Sequence, residues 1–361
     1  MVERAIVGKY IEIEARRVTK TKADFEKFCP VRSTRHLAPA SSGSFGGAPE
    51  VILLDLPNSG ANQSPSDFYI AVRAMPNQPQ TVYASPTADG YQFKTIVNKN
   101  ALIARLTSPL SGSFSGRYDF AASLIIELPE GELESVNEQL LLSGRNMLAV
   151  KSSNGEWEVV QFSKAIEQSP NVWKLSGLLR GQGGTEDAMI SGAVAGAQVV
   201  VLDDSVVPIE LGENEVGLNL NYRVGPLGKE FSDRYFTTVS AQGGLREITP
   251  LSPVHIKARY RPSGALDVSW IRRSRVGADV WLGSEIPLGE ETQAYRVELT
   301  NTAGATIWNA EVSEPRLTIS QTEILAAIGS LPASINVTVK QISQRIGDGL
   351  PATKTVQLLQ S

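Results

Sequence analysis

Hydrophobic and polar residues alternate with a period of two over much of the chain, in short segments rich in β-branched residues. Gly, Pro, Asn and Asp interrupt these segments, which is typical of half-buried strands separated by turns. The apolar run at residues 51–54 is continuous instead, and it predicts a strand that is buried on both faces. Asp89-Gly90 and residues 152–155 each separate two strand-like segments and predict hairpin turns. The pattern therefore predicts an all-β protein.

Two places carry the signals of a helix start. Ser135 with Glu138, and Ser320 with Glu323, have the spacing of a capping box, in which the Ser hydroxyl and the Glu carboxylate satisfy exposed backbone N–H groups. Leu, Ile and Ala residues follow both pairs, and a glycine closes each segment. We expect two helices of two or three turns.

The clearest domain boundary lies at Pro250-Leu251-Ser252-Pro253, where two prolines interrupt the strand pattern. The roughly 110 residues that follow contain seven strand-like segments, and Trp270 occupies an inward-facing position in the second. This number and spacing of strands is typical of an immunoglobulin-like or fibronectin type III sandwich. We therefore expect β-rich domains followed by a fibronectin type III-like β-sandwich, with divisions at residues 1–150, 151–250 and 251–361.

Composition restricts the chemistry that the chain can perform. The 361 residues include two histidines, His36 and His255, and one cysteine, Cys29. One subunit therefore cannot assemble a Cys/His zinc site from the usual ligand sets, and it cannot form an internal disulfide. The formal net charge is −4, and the excess of basic residues is concentrated in residues 1–36, with nine Lys or Arg against five Asp or Glu. The remainder has no concentrated basic face for phosphates, so we expect no nucleic-acid partner.

The N-terminal residues contain no apolar segment of the kind that a secretory signal requires. No apolar run approaches the roughly 18 residues of a membrane-spanning helix. We expect neither a signal peptide nor a membrane span, and a protein that is made in the cytoplasm.

Two glycine-rich segments resemble catalytic or phosphate-binding motifs in outline. Gly112-Ser113-Phe114-Ser115-Gly116 has phenylalanine where the G-x-S-x-G elbow has its nucleophilic serine. Arg180-Gly181-Gln182-Gly183-Gly184-Thr185-Glu186 lacks the lysine of a phosphate loop, and the G-x-G-x-x-G pattern fails at Glu186. We interpret both as turns after strands, with Thr185 as the N-cap of a short helical turn.

Other polar and aromatic residues have both a functional and a structural interpretation. The basic string Arg272-Arg273-Ser274-Arg275 is either a glycan or phosphate contact or, as we expect, a solvated loop balanced by nearby acidic residues. Neighbouring carboxylates could act as acid and base in glycoside cleavage, but such pairs are common in turns. A tryptophan at an alternating strand position is expected in the core, whereas an exposed tryptophan could stack on a sugar ring. The acidic pairs are Asp203-Asp204 and Glu132 with Glu134; the predicted core tryptophans are Trp157 and Trp270, and the candidate sugar platforms are Trp281 and Trp308.

Several strings together resemble one known family over nearly the whole length of the chain. The most specific is G-E-W-E-V-V-Q-F followed shortly by L-S-G-L-L-R-G-Q-G-G-T-E. The strings are Leu54-Asp55-Leu56-Pro57, Leu142-Ser143-Gly144-Arg145-Asn146, Glu156-Trp157-Glu158-Val159-Val160-Gln161-Phe162, Leu175-Ser176-Gly177-Leu178-Leu179-Arg180-Gly181, Gly184-Thr185-Glu186, Leu251-Ser252-Pro253-Val254-His255, Ser269-Trp270-Ile271-Arg272-Arg273-Ser274-Arg275 and Val339-Lys340-Gln341-Ile342-Ser343. In this order they resemble the C-terminal part of the large tail-tip host specificity proteins of gene transfer agents and related siphophages, also called megatron proteins.

The resemblance implies a structural component of a virion tail tip, in the baseplate hub or host specificity module. It would contact other tail proteins and a host-surface receptor or glycan, and the family also suggests a homotrimer. The large N-terminal part of the family's proteins, with its hydrolase-type domain, is absent from this sequence, so no enzymatic activity is carried over. We expect no enzyme and assign no catalytic, cofactor-binding or metal-binding residue. The alternatives are an enzyme that degrades envelope polysaccharide or peptidoglycan, and a carbohydrate-binding module.

Overall fold

A computed structural model confirms that the protein is all-β. The chain divides into two compact units, Met1–Phe45 and Gly46–Ser361. In the first unit, strands β1 (Val2–Val7) and β2 (Ile11–Ala15) pair in antiparallel orientation. The structure describes residues 2–7, 11–15, 47–57, 67–112, 118–230, 234–276, 286–301, 303–329 and 334–357.

The second unit begins with a sandwich that two separate parts of the chain build together. Its sheets have the orders β13-β4-β3 and β15-β14-β5-β6, and all of these pairs are antiparallel. Phe68, Ile70, Tyr222 and Val224 are buried between the two sheets. The strands are β3 (Glu50–Leu54), β4 (Asp67–Arg73), β5 (Gln80–Ser85), β6 (Gln92–Val97), β13 (Val207–Glu210), β14 (Asn219–Pro226) and β15 (Thr237–Gln242).

A closed six-stranded barrel is inserted between the two parts of this sandwich. Leu124, Ile126, Leu148, Val160 and Phe162 fill its interior. The strand order around the barrel is β10-β11-β8-β7-β12-β9. The strands are β7 (Ile103–Leu106), β8 (Asp119–Glu127), β9 (Met147–Lys151), β10 (Trp157–Ser169), β11 (Val172–Gln182) and β12 (Gln198–Val201).

The barrel spans residue 150, where the sequence suggested a boundary. β9 and β10 lie on either side of that residue and pair directly, with Lys151 opposite Trp157, so the predicted hairpin at residues 152–155 is confirmed. Strand β3 explains the continuous apolar run of the sequence. Ile52 and Leu54 pack towards the barrel, whereas Val51 and Leu53 pack into the first sandwich. One strand therefore contributes to both cores.

The C-terminal residues form a second sandwich with sheets β16-β17-β20 and β19-β18-β21-β23, and the short β22 also pairs with β21. Trp270 faces the core as predicted, with its ring 5.1 Å from that of Tyr295 in an edge-to-face arrangement. The seven predicted strand segments are all present. They are β16 (Val254–Tyr260), β17 (Leu266–Ile271), β18 (Tyr295–Thr300), β19 (Thr306–Val312), β20 (Arg316–Ile319), β21 (Ser334–Ser343) and β23 (Ala352–Gln357), with β22 (Gly347–Asp348) in addition.

Three short helices lie in the described part of the chain: α1 (Glu138–Leu142), α2 (Glu186–Ser191) and α3 (Gln321–Ile328). The capping box predicted for α3 is present, since the Ser320 hydroxyl accepts from the Glu323 N–H and the Glu323 carboxylate accepts from the Ser320 N–H. The box predicted at Ser135 is wrong. The Ser135 hydroxyl bonds to the backbone of Ala165 in β10 instead, and the N-cap of α1 is Asn137, whose side chain accepts from the Leu140 N–H.

Candidate functional site

The two most family-specific strings of the sequence meet in a buried ion pair between β10 and β11. Arg180 Nε donates to Glu158 Oε1 at 2.5 Å, and Nη2 donates to Oε2 at 2.9 Å. The Gly181 N–H donates to the same Oε1 at 3.1 Å. Arg180 Nη1 donates to the Ser111 carbonyl and lies 3.7 Å from the Asp119 carboxylate. Each charge is enclosed and has partners, so this cluster holds the barrel together and is not a free binding group.

Two further polar residues of the same strings fix the neighbouring loops. Gln161 Nε2 donates to the carbonyl oxygens of Leu141 and Arg145, which ties α1 and the segment after it to β10. The Thr185 hydroxyl donates to the Gln182 carbonyl and accepts from the Val159 N–H. Thr185 precedes α2 as predicted, but its side chain makes no capping hydrogen bond with the helix, because β10 and the preceding turn use it.

The glycines of the Arg180–Glu186 segment allow close contact with two other strings of the resemblance. Gly183 and Gly184 have positive φ angles of 65° and 87°. A Cβ on Gly183 would lie 2.7 Å from the Pro57 side chain, and one on Gly184 would lie 2.3 Å from that of Leu251. The close approach of Pro57 and Leu251 accounts for both glycines in structural terms.

The acidic residues at the start of α2 connect the barrel to the rest of the second unit. Arg246, in the segment after the first sandwich, pairs with Asp187 through two hydrogen bonds of 2.5 and 2.9 Å and also donates to the Gly184 carbonyl. Burial alone would raise the pKa of Asp187, but the hydrogen bonds and charge of Arg246 outweigh it and lower that pKa. Arg273, at the end of β17, pairs with Glu186 at 2.7 Å. All three β-modules of this unit therefore meet at α2.

Asp55 anchors the turn that precedes Arg246. Its Oδ1 accepts from the Gly244 N–H at 3.2 Å, and its Oδ2 accepts from the N–H groups of Leu245 and Arg246 at 3.1 Å each. Burial raises the pKa of Asp55 to about 6, although the three backbone hydrogen bonds act in the opposite direction. A buried carboxyl with a pKa near neutrality is a feature that functional sites often share.

Asp55, Asp187 and Arg246 line a cleft of about 380 Å³, which we name the junction cleft. The barrel contributes Lys151, Glu156 and Trp157, and the first sandwich, the turn before Pro250 and the C-terminal sandwich contribute the other walls. Lys151 Nζ lies 4.7 Å from the centroid of the Trp157 ring, within the range of a cation–π contact. Burial lowers the pKa of Lys151 despite the negative charges of Glu156 and Asp55. The lining further includes Leu53, Asp55, Phe68, Asp187, Gln242, Leu245, Arg246, Thr249 and Leu350.

The structure places the other sequence candidates away from this cleft. Asp203 accepts from the N–H and hydroxyl of Ser205 in a turn, and Asp204 pairs with Lys99 on the surface. His255 is exposed on β16 at a φ of 53°. Glu132 and Glu134 are exposed.

The basic string at residues 272–275 has its charges partly balanced within its own loop, as expected. Arg275 pairs with Glu290 at 3.2 Å, and Arg272 donates to the backbone carbonyl of Pro287. Arg273 departs from the expectation because it pairs across the junction with Glu186.

The tryptophans divide between the cores and the cleft. Trp157 and Trp270 are buried, each with 4% of its surface exposed, as predicted. Trp308 is half-buried against the core of the C-terminal sandwich. His36, Cys29, Trp281 and residues 113–116 lie outside the described residues.

Sequence reasoning missed how the cleft is assembled. Asp55, Glu156 and Trp157 stand in strings of the family resemblance, but the strings give no indication that these residues converge. Lys151 and Arg246 had no signal of their own, because each is one charged residue in an ordinary polar context. Only the pairing of distant strands brings these five residues together.

Two further findings concern the described residues alone. They contain no group of three or more His, Cys, Asp or Glu side chains that could hold a metal ion. Among the helices that the structure describes, none has the length and apolar character needed to cross a bilayer.

Solved structures overlap with this chain only to a limited extent. The rat CD45 extracellular region, domains d3–d4, has a TM-score of 0.23 and 11% identity, covering 44% of this chain and 72% of that one. A cytokine receptor complex has a TM-score of 0.22 and 9% identity, covering 66% of this chain and 92% of that one. The β-glucuronidase from Ruminococcus gnavus has a TM-score of 0.22 and 9% identity, covering 87% of this chain and 46% of that one. Overlaps of this size establish neither a common fold nor a function.

A family match identifies the barrel as the recognisable part of the molecule. No curated protein matches the chain. Residues 101–200, however, match the family described as Rcc01698-like, C-terminal. This range coincides with the closed barrel, whose strands run from Ile103 to Val201. The barrel is thus similar to a C-terminal domain of a family found in gene transfer agent and phage-like proteins.

Proposed function

We propose that this chain is a structural component of the tail tip of a phage or gene transfer agent particle. The observation that carries the proposal is the match between the closed barrel and the Rcc01698-like C-terminal family. The strings that resemble tail-tip host specificity proteins also continue on both sides of the barrel. We place the chain at the virion tail tip, in contact with other tail proteins and with a receptor or glycan of the host surface.

The geometry of the junction is compatible with a role in assembly. Arg246 and Arg273 both connect the barrel to other modules, and Asp55 holds the turn that leads into Arg246. A protein that transmits contacts along a tail needs modules that keep their positions, and these polar contacts provide that. Because Asp55 and the two ion pairs of Arg246 and Arg273 serve the fold, we propose a role without catalysis.

An envelope-degrading enzyme is the second candidate, and one observation favours it. The pKa of Asp55 is raised to about 6, which suits a general acid. Both oxygens of Asp55, however, accept backbone hydrogen bonds, so the carboxyl serves the fold. Incubation of the purified chain with peptidoglycan and with host surface polysaccharide decides between the two candidates. The tail-tip proposal expects no new reducing ends or muropeptides, and their release would favour the enzyme.

The tail-tip proposal is tested by isolating particles from cells that produce them. A peptide tag on this chain should co-purify with full particles through density and size separation, and mass spectrometry should find the chain with other tail proteins at a fixed ratio. Mass photometry of the isolated chain tests the trimer that the family suggests. Absence of the chain from purified particles would contradict the proposal.

A matched pair of variants makes this test specific to the junction. Arg273→Glu places two negative charges together at α2, whereas Arg316→Glu alters an exposed residue that pairs only with its near neighbour Glu314. We expect Arg273→Glu to lower the amount of chain incorporated into particles and Arg316→Glu to leave it unchanged. Equal incorporation of both would show that the junction has no part in assembly.

A further inference from the structure

The junction cleft has the position and size of a ligand site. Ligand pockets concentrate where domains meet and commonly enclose about 300–1,000 Å³. The cleft encloses about 380 Å³ and takes walls from all three β-modules of the second unit, including Trp157 of the barrel, Phe68 of the first sandwich and Leu350 of the last. A ligand here would contact groups that only the assembled unit brings together.

Two charged groups of the cleft are not committed to the fold. Lys151 Nζ makes a cation–π contact with Trp157 but no hydrogen bond or ion pair with a described residue. The Glu156 carboxylate is exposed and likewise accepts no hydrogen bond from the described part of the chain. Both residues lie at the turn end of the β9–β10 hairpin, since Lys151 is paired with Trp157 and Glu156 immediately precedes Trp157. The cleft therefore presents a set of donors beside a set of acceptors.

The remaining polar groups limit what charge a ligand can carry. Asp187 and Arg246 neutralise each other, and Asp55 is held by backbone N–H groups. Lys151, Glu156 and Asp55 then leave no net positive charge, so an anion gains little. A cation bound at Glu156 would be repelled by the positive charge of Lys151, which lines the same cleft. A neutral ligand whose groups both donate and accept satisfies the cleft best.

Apolar side chains form the rest of the wall. Leu53, Phe68, Leu245 and Leu350 line the cleft and give no hydrogen bonds from their side chains. A saccharide matches this combination because each hydroxyl both donates and accepts, while the C–H faces of the ring pack on apolar surface.

We propose that the junction cleft binds a saccharide of one or two units, with Lys151 donating to its hydroxyl oxygens and Glu156 accepting from its hydroxyl groups. The ring faces would pack on the half-buried side chains of Leu53 and Leu245. This site is independent of the tail-tip proposal, because the isolated chain contains all of its residues.

The proposal is tested by calorimetry and saturation-transfer difference NMR on the full chain. The probes are D-glucose, D-galactose, L-rhamnose, N-acetyl-D-glucosamine and maltose, with L-serine and inorganic phosphate as charged comparisons. We expect at least one saccharide to bind with a Kd of about 0.1–10 mM, as is common for a few hydrogen bonds in a small site. Binding of serine or phosphate with no saccharide binding would overturn the proposal, as would no binding of any probe.

Variants locate the binding in the cleft. Glu156→Gln keeps the shape of an exposed side chain, and Lys151→Met keeps the stem of the lysine over Trp157. Each should weaken saccharide binding about tenfold or more, which corresponds to about 1.4 kcal/mol. Lys164→Met, an exposed position on the outside of β10, should leave binding unchanged. Saccharide binding that neither cleft variant weakens would place the ligand elsewhere and contradict the proposal.

Discussion

At the residue scale, the most strongly constrained group is the buried pair of Glu158 and Arg180. Both side chains are almost completely enclosed, and three hydrogen bonds converge on the Glu158 carboxylate. A buried charge is tolerated only while its partner is present, because the low dielectric interior penalises an uncompensated ion. The pair therefore joins the two strings that contain these residues across β10 and β11.

Loss of one partner should destabilise the barrel strongly. Arg180→Met leaves the Glu158 carboxylate buried without its main donor, and we expect a loss of about 3–5 kcal/mol in the free energy of unfolding. Replacing both residues, in Glu158→Met/Arg180→Met, should recover part of this loss. Urea denaturation followed by tryptophan fluorescence measures both, with Arg316→Met as the exposed control, expected within about 0.5 kcal/mol of the parent. A single variant as stable as the control would contradict the structural role of the pair.

Asp55 should make the protein more stable at mildly acidic pH than at neutral pH. The pKa of its carboxyl is about 6 in the folded chain against an ordinary value of 3.8, so the folded state binds this proton more tightly than the unfolded state does. The ionised carboxyl therefore costs stability above about pH 6, and the cost disappears as the pH falls towards about 4, a gain of about 2–3 kcal/mol. Asp55→Asn cannot titrate and should lack this gain.

The measurement is urea unfolding of the parent and Asp55→Asn at several values between about pH 4 and pH 7.5. The difference between the two proteins isolates the contribution of Asp55 from that of other carboxyl groups. Below this pH range Asp187 has the opposite effect on stability. Its pKa is lowered in the folded chain, so protonation at low pH breaks its ion pair with Arg246 and destabilises the fold. Parallel curves for the two proteins would contradict the assignment.

At the element scale, the strands and turns were predictable because their signals are local. Alternation identified all seven main strands of the C-terminal sandwich, and the apolar run in β3 indicated burial on both faces. The start of α1 was not predictable, since the Ser135 hydroxyl bonds to Ala165 of β10 and leaves Asn137 to cap the helix. Local sequence signals could not predict the closure of the barrel either, because closure depends on β12 pairing with both β7 and β9.

Helix α3 offers a test of the capping box that the sequence did predict. Ser320→Ala removes the hydroxyl that accepts from the Glu323 N–H, and we expect a loss of about 1 kcal/mol in the stability of the C-terminal sandwich. Thr322→Ala, two residues further along and exposed, should cause no loss, because alanine is the better helix former. Chemical denaturation measures both variants. Equal losses would show that the box contributes nothing specific.

At the scale of the whole molecule, the second unit is three β-modules held at one junction. The first sandwich is built from two parts of the chain around the barrel, and α2 carries the acidic residues that pair with Arg246 and Arg273. Composition and spacing could predict the β-rich modules and the final sandwich. They could not predict the insertion of the barrel or the cleft, since both arise from contacts between residues far apart in sequence.

The ion pair across the junction should control how firmly the C-terminal sandwich is held. Arg273→Glu opposes Glu186 with a like charge, and we expect faster thermolysin cleavage near Pro250 and a separate thermal transition for the sandwich. The exchanged pair, Glu186→Arg/Arg273→Glu, restores opposite charges and should restore both properties. If the single variant and the exchanged pair behave alike, the charges do not couple the modules.

The central claim, that this chain belongs to the tail tip, is tested most directly by a cryo-electron microscopy reconstruction of intact particles. We predict density for the closed barrel and the adjoining sandwiches at the distal end of the tail, with the barrel joined to other tail proteins. A complete reconstruction of the tail tip in which neither the barrel nor the sandwiches can be placed would contradict the account.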